Sequence, residues 1–164
     1  MNSVNKVFLA MIEFYKNDPK RIQHFTKVHS YAKLIGDAEN IDSDVLHVLE
    51  IASLTHDIGI KIAEEKYNSC TGKLQEQEGI EPAYNMLVAL KFEPSIIDRV
   101  CYLIAHHHTY KNVDGADYQI LLEADFLVNL YEDGVSEVAV NSALKNIFKT
   151  KTGISICKSM FLND

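Results

Sequence analysis

The chain has 164 residues, 47% of them hydrophobic and 24% charged, which fits one globular domain able to bury a sizeable core. Its 16 basic and 23 acidic residues leave a formal charge of −7 with no Lys/Arg stripe, which argues against polymeric nucleic acid as a ligand. Cys70, Cys101 and Cys157 are odd in number and far apart, so they form neither a disulfide framework nor a zinc knuckle. The apolar run Val7 to Ile12 is short and is followed by Glu13, unlike a secretory or membrane segment, so a cytoplasmic protein without a membrane partner is expected.

In chain order, the apolar periodicity predicts helices over about 3–17, 19–38, 43–56, 72–91, 94–106, 117–131, 134–148 and 153–161. Start signals agree: Asp18-Pro19, Ser43-Asp44, Pro94-Ser95 and Asp117 stand at or near four of the N-termini. The stretch from Lys66 to Gly72 reads as a loop. No alternating run of Val, Ile and Thr is long enough for a strand. The expectation is an all-α, single-domain helical bundle over residues 1–164, with its core at about 20–130. The helices at 134–161 carry apolar residues such as Val138, Phe148 and Ile156, which would pack on that core or on a second subunit, making a homodimer.

Three helical stretches place ionisable residues among apolar neighbours. His29 has Phe25 at i−4 and Ala32 at i+3; His56 follows Leu49 and Ala52; Asp125 lies between Leu121 and Val128. Residues at these spacings share a helix face. A lone histidine there is more often a satisfied core residue than a ligand. Buried Asp125 is harder to dismiss, because an ionised carboxylate away from water needs a cation or dense hydrogen bonding, and Leu121 to Leu130 contains no Lys or Arg. Adjacent to His56 stands Asp57. Two imidazoles and two carboxylates converging from three helices would hold a divalent cation.

The order His29, His56-Asp57, Asp125, with the segments HDIG and EAD, resembles the H…HD…D signature of the HD-domain metal-dependent phosphohydrolases. The resemblance covers about residues 20–130, and its nearest likeness is to small single-domain bacterial members. It implies an HD-type bundle binding one or two ions of Mn, Mg, Fe or Co. In two-metal relatives an Ile-x-x-His-His pattern supplies further ligands, which maps onto His107 and His108 here. Those relatives also carry a histidine before a small-residue pair on the intervening helix, and Glu78 stands at that expected place. A Lys directly after HDIG is common in such hydrolases; here Ile60 intervenes and Lys61 follows. The Glu three residues after HD and the GYP element of other subfamilies are both absent.

The activity this implies is hydrolysis of a nucleotide or other small phosphate ester by metal-activated water. Asp57 would orient the nucleophile and His107 would bind a second ion or donate a proton, while Lys61, with Lys73 and Tyr110, would meet the substrate. Two alternatives stay open: a metal- or nucleotide-binding sensor without turnover, and a di-iron oxygenase drawing on His107, His108, Glu78 and Tyr110.

Overall fold

A computed structural model describes residues 1–162, and within them every regular element is helical. The helices are α1 (Ser3–Phe14), α2 (Pro19–Ala38), α3 (Ser43–Ser53), α4 (Gly59–Tyr67), α5 (Gly72–Ala89), α6 (Pro94–Ile104), α7 (Gly115–Glu132), α8 (Glu137–Asn146) and α9 (Lys151–Phe161). The all-α architecture expected from the sequence is the one observed. None of these helices is long and apolar enough to cross a membrane.

Local chemistry explains the boundaries. The Asp18 side chain accepts from Arg21 N and Pro19 opens α2, where its missing N–H costs nothing. Asp42 caps α3 and Ser136 caps α8 in the same way. Two boundaries differ from expectation. α3 ends at Ser53 and gives way to a tight turn, so His56 lies just beyond the helix rather than within it. α4 was not foreseen. No side chain caps its start, and its one clear signal is Asn68, left-handed at φ 50°, which closes its C-terminus.

α2, α3 and α7 pack on one another, and α6 packs on α3. Their shared core includes Phe25, Val28, Leu49, Leu54, Leu103, Leu121 and Val128, all essentially out of contact with water. α4 and α5 lie against each other through glycine: a Cβ on Gly59 would fall 2.6 Å from Gly79 N and 2.9 Å from Gly79 Cα. α9 returns to α2 and α7. There the buried Glu123 carboxylate of α7 accepts from Lys149 N (2.7 Å) and Thr150 N (2.9 Å), satisfying donors at the start of α9.

Candidate metal centre

The turn between α3 and α4 carries His56 and Asp57, and it is held from both sides. Buried Tyr15 donates to Asp57 O at 3.0 Å, and Thr55 Oγ1 donates to Ile51 O at 2.9 Å. Phe25 packs edge-on to the His56 ring at 5.4 Å. α2 brings His24 to this turn and α7 brings Asp125. His24 Nε2 lies 3.3 Å from His56 Nε2, 3.5 Å from Asp57 Oδ2 and 3.3 Å from Asp125 Oδ1. His56 Nε2 lies 3.5 Å from Asp57 Oδ2 and 3.4 Å from Asp125 Oδ1. All four residues are buried.

These separations fit a divalent cation. Two imidazole nitrogens and two carboxylate oxygens, all within 4.8 Å of one another, make a donor set that suits such an ion. The tautomers fit too. The Nδ1–H of His56 donates to Ser53 O at 3.0 Å and that of His107 to Ile104 O at 2.7 Å, leaving each Nε2 turned inward.

Charge leads to the same point. Burial opposes ionisation of Asp57, but the imidazoles of His56 and His107 outweigh it and bring its carboxyl down to about 2. Burial likewise opposes ionisation of Asp125, and its hydrogen bonds with His24 and His56 hold it well below the usual carboxylate range. Burial disfavours protonated His24, yet Asp125, Asp57 and Glu132 overcome that and lift it to about 9. Protons on imidazole thus supply the positive charge these carboxylates demand. A divalent cation supplies it equally well, without charging the histidines.

The other carboxylate oxygen of Asp57 faces a second group. Asp57 Oδ1 lies 3.0 Å from His107 Nε2 and 3.9 Å from His108 Nε2. Asp57 thus belongs to two groups of potential ligands, one oxygen facing each. On this side His108 Nε2 is engaged by Gln75 Oε1 at 2.5 Å, and Gln75 Nε2 donates to Cys70 O. Glu76 accepts from His108 N at 2.9 Å, pinning the backbone that carries the histidine pair.

The structure thus gathers His56, Asp57, Asp125, His107 and His108, but corrects four of the side chains singled out from the sequence. His29 is not at the centre: it hydrogen-bonds Glu50 at 3.1 Å on the other flank of α2, and His24 occupies its expected place. Glu78 turns to Lys66 (2.6 Å) and Tyr67 (3.0 Å) in a separate cleft with Ile62 and Pro82, so Gln75 is the α5 side chain beside His108. Lys61 reaches back to Phe14 O at 3.2 Å, and Lys73 is exposed outside the pocket. Tyr110 does line the pocket, edge-on to Phe126 at 5.4 Å.

That pocket, about 560 Å³, opens directly onto His24, Asp57, Asp125 and His108. Lys20 and Arg21 stand at its α2 side, and Asn129 and Glu132 at its α7 side. Sequence reasoning missed all four. Lys20 lies one helical turn before His24, and Asn129 and Glu132 lie one and two turns after Asp125, spacings that would have nominated them once the ligands were known.

The HD domain family model matches residues 21–139, a span that includes all of these potential ligands. The chain belongs to the HD-domain family. Among solved structures, this HD-domain chain resembles a predicted HD superfamily hydrolase from an uncultured Thermotogales bacterium, with a TM-score of 0.68 and 24% identity over 94% of this chain and 83% of that one. At that identity the likeness is one of fold. Comparison with curated proteins finds no match.

Proposed function

We propose that this HD-domain protein is a metal-dependent hydrolase of small phosphate esters, nucleotides foremost among them. The observation that carries this reading is the donor set of His24, His56, Asp57 and Asp125: each imidazole nitrogen lies 3.3–3.5 Å from the other and from both carboxylates, and His24, Asp57 and Asp125 line an open pocket. A divalent cation bound there lowers the pKa of water and polarises a phosphoryl oxygen. Asp57, His107 and His108 would hold a second ion, and more weakly, because Gln75 already engages one of these imidazoles.

The chain's own residues supply the rest. With no second ion bound, His107, whose imidazole is pushed upward despite burial because Asp57 accepts from it at 3.0 Å, is the group placed to give a proton beside the reacting region. Lys20 offers a point charge at the mouth for a phosphate oxygen. Arg21 is less free, since Asp18 and Glu64 each hold it at 2.6 Å. Tyr110 and Phe126 make an aromatic wall against which a flat base can rest. The volume suits a ligand the size of a nucleotide.

Purified protein, stripped of metal and reloaded in turn with Mn²⁺, Mg²⁺, Co²⁺ and Fe²⁺, should release phosphate from members of a panel of nucleoside mono-, di- and triphosphates and simple phosphate esters. Asp57→Asn should cut that release by about three orders of magnitude. An ester that raises the melting temperature but is recovered intact with every metal would overturn hydrolysis in favour of binding without turnover. Dioxygen uptake by the iron-loaded protein would overturn it in favour of oxidation.

A further inference from the structure

We propose that Glu132 is a positioning residue that sets the affinity of the centre for its cation by holding His24, an inference that rests on the metal reading above. The buried imidazoles of His56 and His107 are fixed by the backbone: Ser53 O accepts from His56 and Ile104 O accepts from His107. These supports are independent of side-chain identity. His24 has no such support. Its Nδ1 lies 2.9 Å from Glu132 Oε2, and that carboxylate keeps Nε2 turned toward Asp57 and Asp125.

The arrangement comes from one face of α7. Asp125, Asn129 and Glu132 follow at i, i+4 and i+7, which stacks them along the side of the helix that meets α2. Asp125 presents Oδ1 to both His24 and His56. Asn129 Nδ2 donates to that same oxygen at 2.9 Å and fixes the rotation of the carboxylate. Glu132, one turn further on, reaches across to the back of the His24 ring. A single helix therefore provides one ligand and orients two.

Lys27 shows what Glu132 contributes. Its Nζ lies 2.6 Å from Glu132 Oε1, while Oε2 faces His24. The lysine balances the carboxylate's charge, so Glu132 acts on the centre chiefly through direction: it accepts the Nδ1 proton and fixes the tautomer. Carboxylates behind metal-binding imidazoles do this generally, and their loss weakens metal binding by about 10–100-fold. The competing account is that Lys27–Glu132 is only an ion pair tying α2 to α7. That account predicts lower stability with no change at the centre.

Titration calorimetry of metal-free protein with Mn²⁺ alone separates the two. Glu132→Leu should raise the Mn²⁺ dissociation constant by up to about 100-fold, and Glu132→Gln, which keeps an accepting oxygen, by about 10-fold or less. The Co²⁺ absorption spectrum should change in the leucine variant and be largely restored in the glutamine one. Melting curves without metal check that each variant folds; should the leucine form fail, the glutamine form and Lys27→Met carry the test. Wild-type binding with unchanged dissociation constants in folded Glu132 variants overturns the role of Glu132 and leaves the hydrolase reading standing. No Mn²⁺ binding by the wild-type chain overturns both.

Discussion

The two oxygens of the Asp57 carboxylate face differently built surroundings. Around Oδ2 are His24, His56 and Asp125, whose donor atoms stand at nearly equal separations. Around Oδ1 are His107 at 3.0 Å and His108 at 3.9 Å, the latter already engaged by Gln75. The first side offers two imidazoles and two carboxylates whose facing nitrogens have no partner outside the cluster, and of whose facing oxygens Asp125 Oδ1 alone has one, Asn129. The second offers fewer uncommitted donors and shares its only acid with the first. A cation site is distinguished less by residue type than by whether its donors have other partners.

Removing the shared group is the largest perturbation. Asp57→Asn keeps the shape but takes a charge from both sides, and should cut phosphate release by about three orders of magnitude, the size expected for losing one key electrostatic group. Next comes a contrast on α2. His24→Ala should reduce Mn²⁺ affinity by about 100-fold or more, while His29→Ala should leave it unchanged and cost about 1 kcal/mol of stability for its half-buried bond to Glu50. Equal losses of affinity in the two variants, measured by calorimetry, would contradict the placement of His24.

That contrast also shows how far the sequence could be read. The helical architecture, the HD turn, Asp125 and the histidine pair on α6's exit all followed from apolar spacing and from likeness to a family. His24 did not, for a geometric reason. It and His29 flank the Phe25–Val28–Ala32–Ile35 stripe on opposite sides, so periodicity treats them alike. The hairpin itself held the answer. α2 and α3 are joined by a short connection, Ala38 to Ser43, and residues equally far from such a turn meet. His24 lies 14 residues before Ala38 and His56 lies 13 after Ser43; His29 lies 9 before and its partner Glu50 lies 7 after. Glu78 failed differently. Gly79 was legible as a small residue, but at its close crossing with Gly59 the neighbouring Glu78 meets Lys66 and Tyr67, and Gln75, one helical turn before Gly79, meets His108.

Protons and metal compete on the Oδ2 side. In the metal-free protein His24 is lifted from 6.5 to about 9. Its contribution to folding is therefore complete below about 6.5 and fades as pH rises through about 9, so the metal-free melting temperature should fall across that window. Metal binding needs the neutral ring, so Mn²⁺ affinity should rise by up to about tenfold per pH unit and level off near 9. At the acid end, Asp57 contributes stability above about 3.8 that disappears as pH falls toward about 2. A dissociation constant that stays flat from pH 6.5 to 9 would place His24 outside the centre.

The smallest effect tests the Oδ1 side alone. Gln75 holds His108 Nε2 at 2.5 Å through an amide oxygen, and its own Nε2 is spent on Cys70 O. A neutral amide is a poor ligand for a transition ion beside imidazole and carboxylate. Gln75→His exchanges that amide for an imidazole, adding a nitrogen donor beside His108 on the Oδ1 side. The wild-type chain should bind one Mn²⁺ tightly and a second weakly, and the variant should tighten only the second, by about tenfold, the lower end of what one well-placed group contributes. Tightening of the first ion instead would mean that the two sides of Asp57 are not separable. An unchanged second constant would mean that Gln75 is not what weakens this side, and the 3.9 Å between His108 and Asp57 would then be the limiting feature.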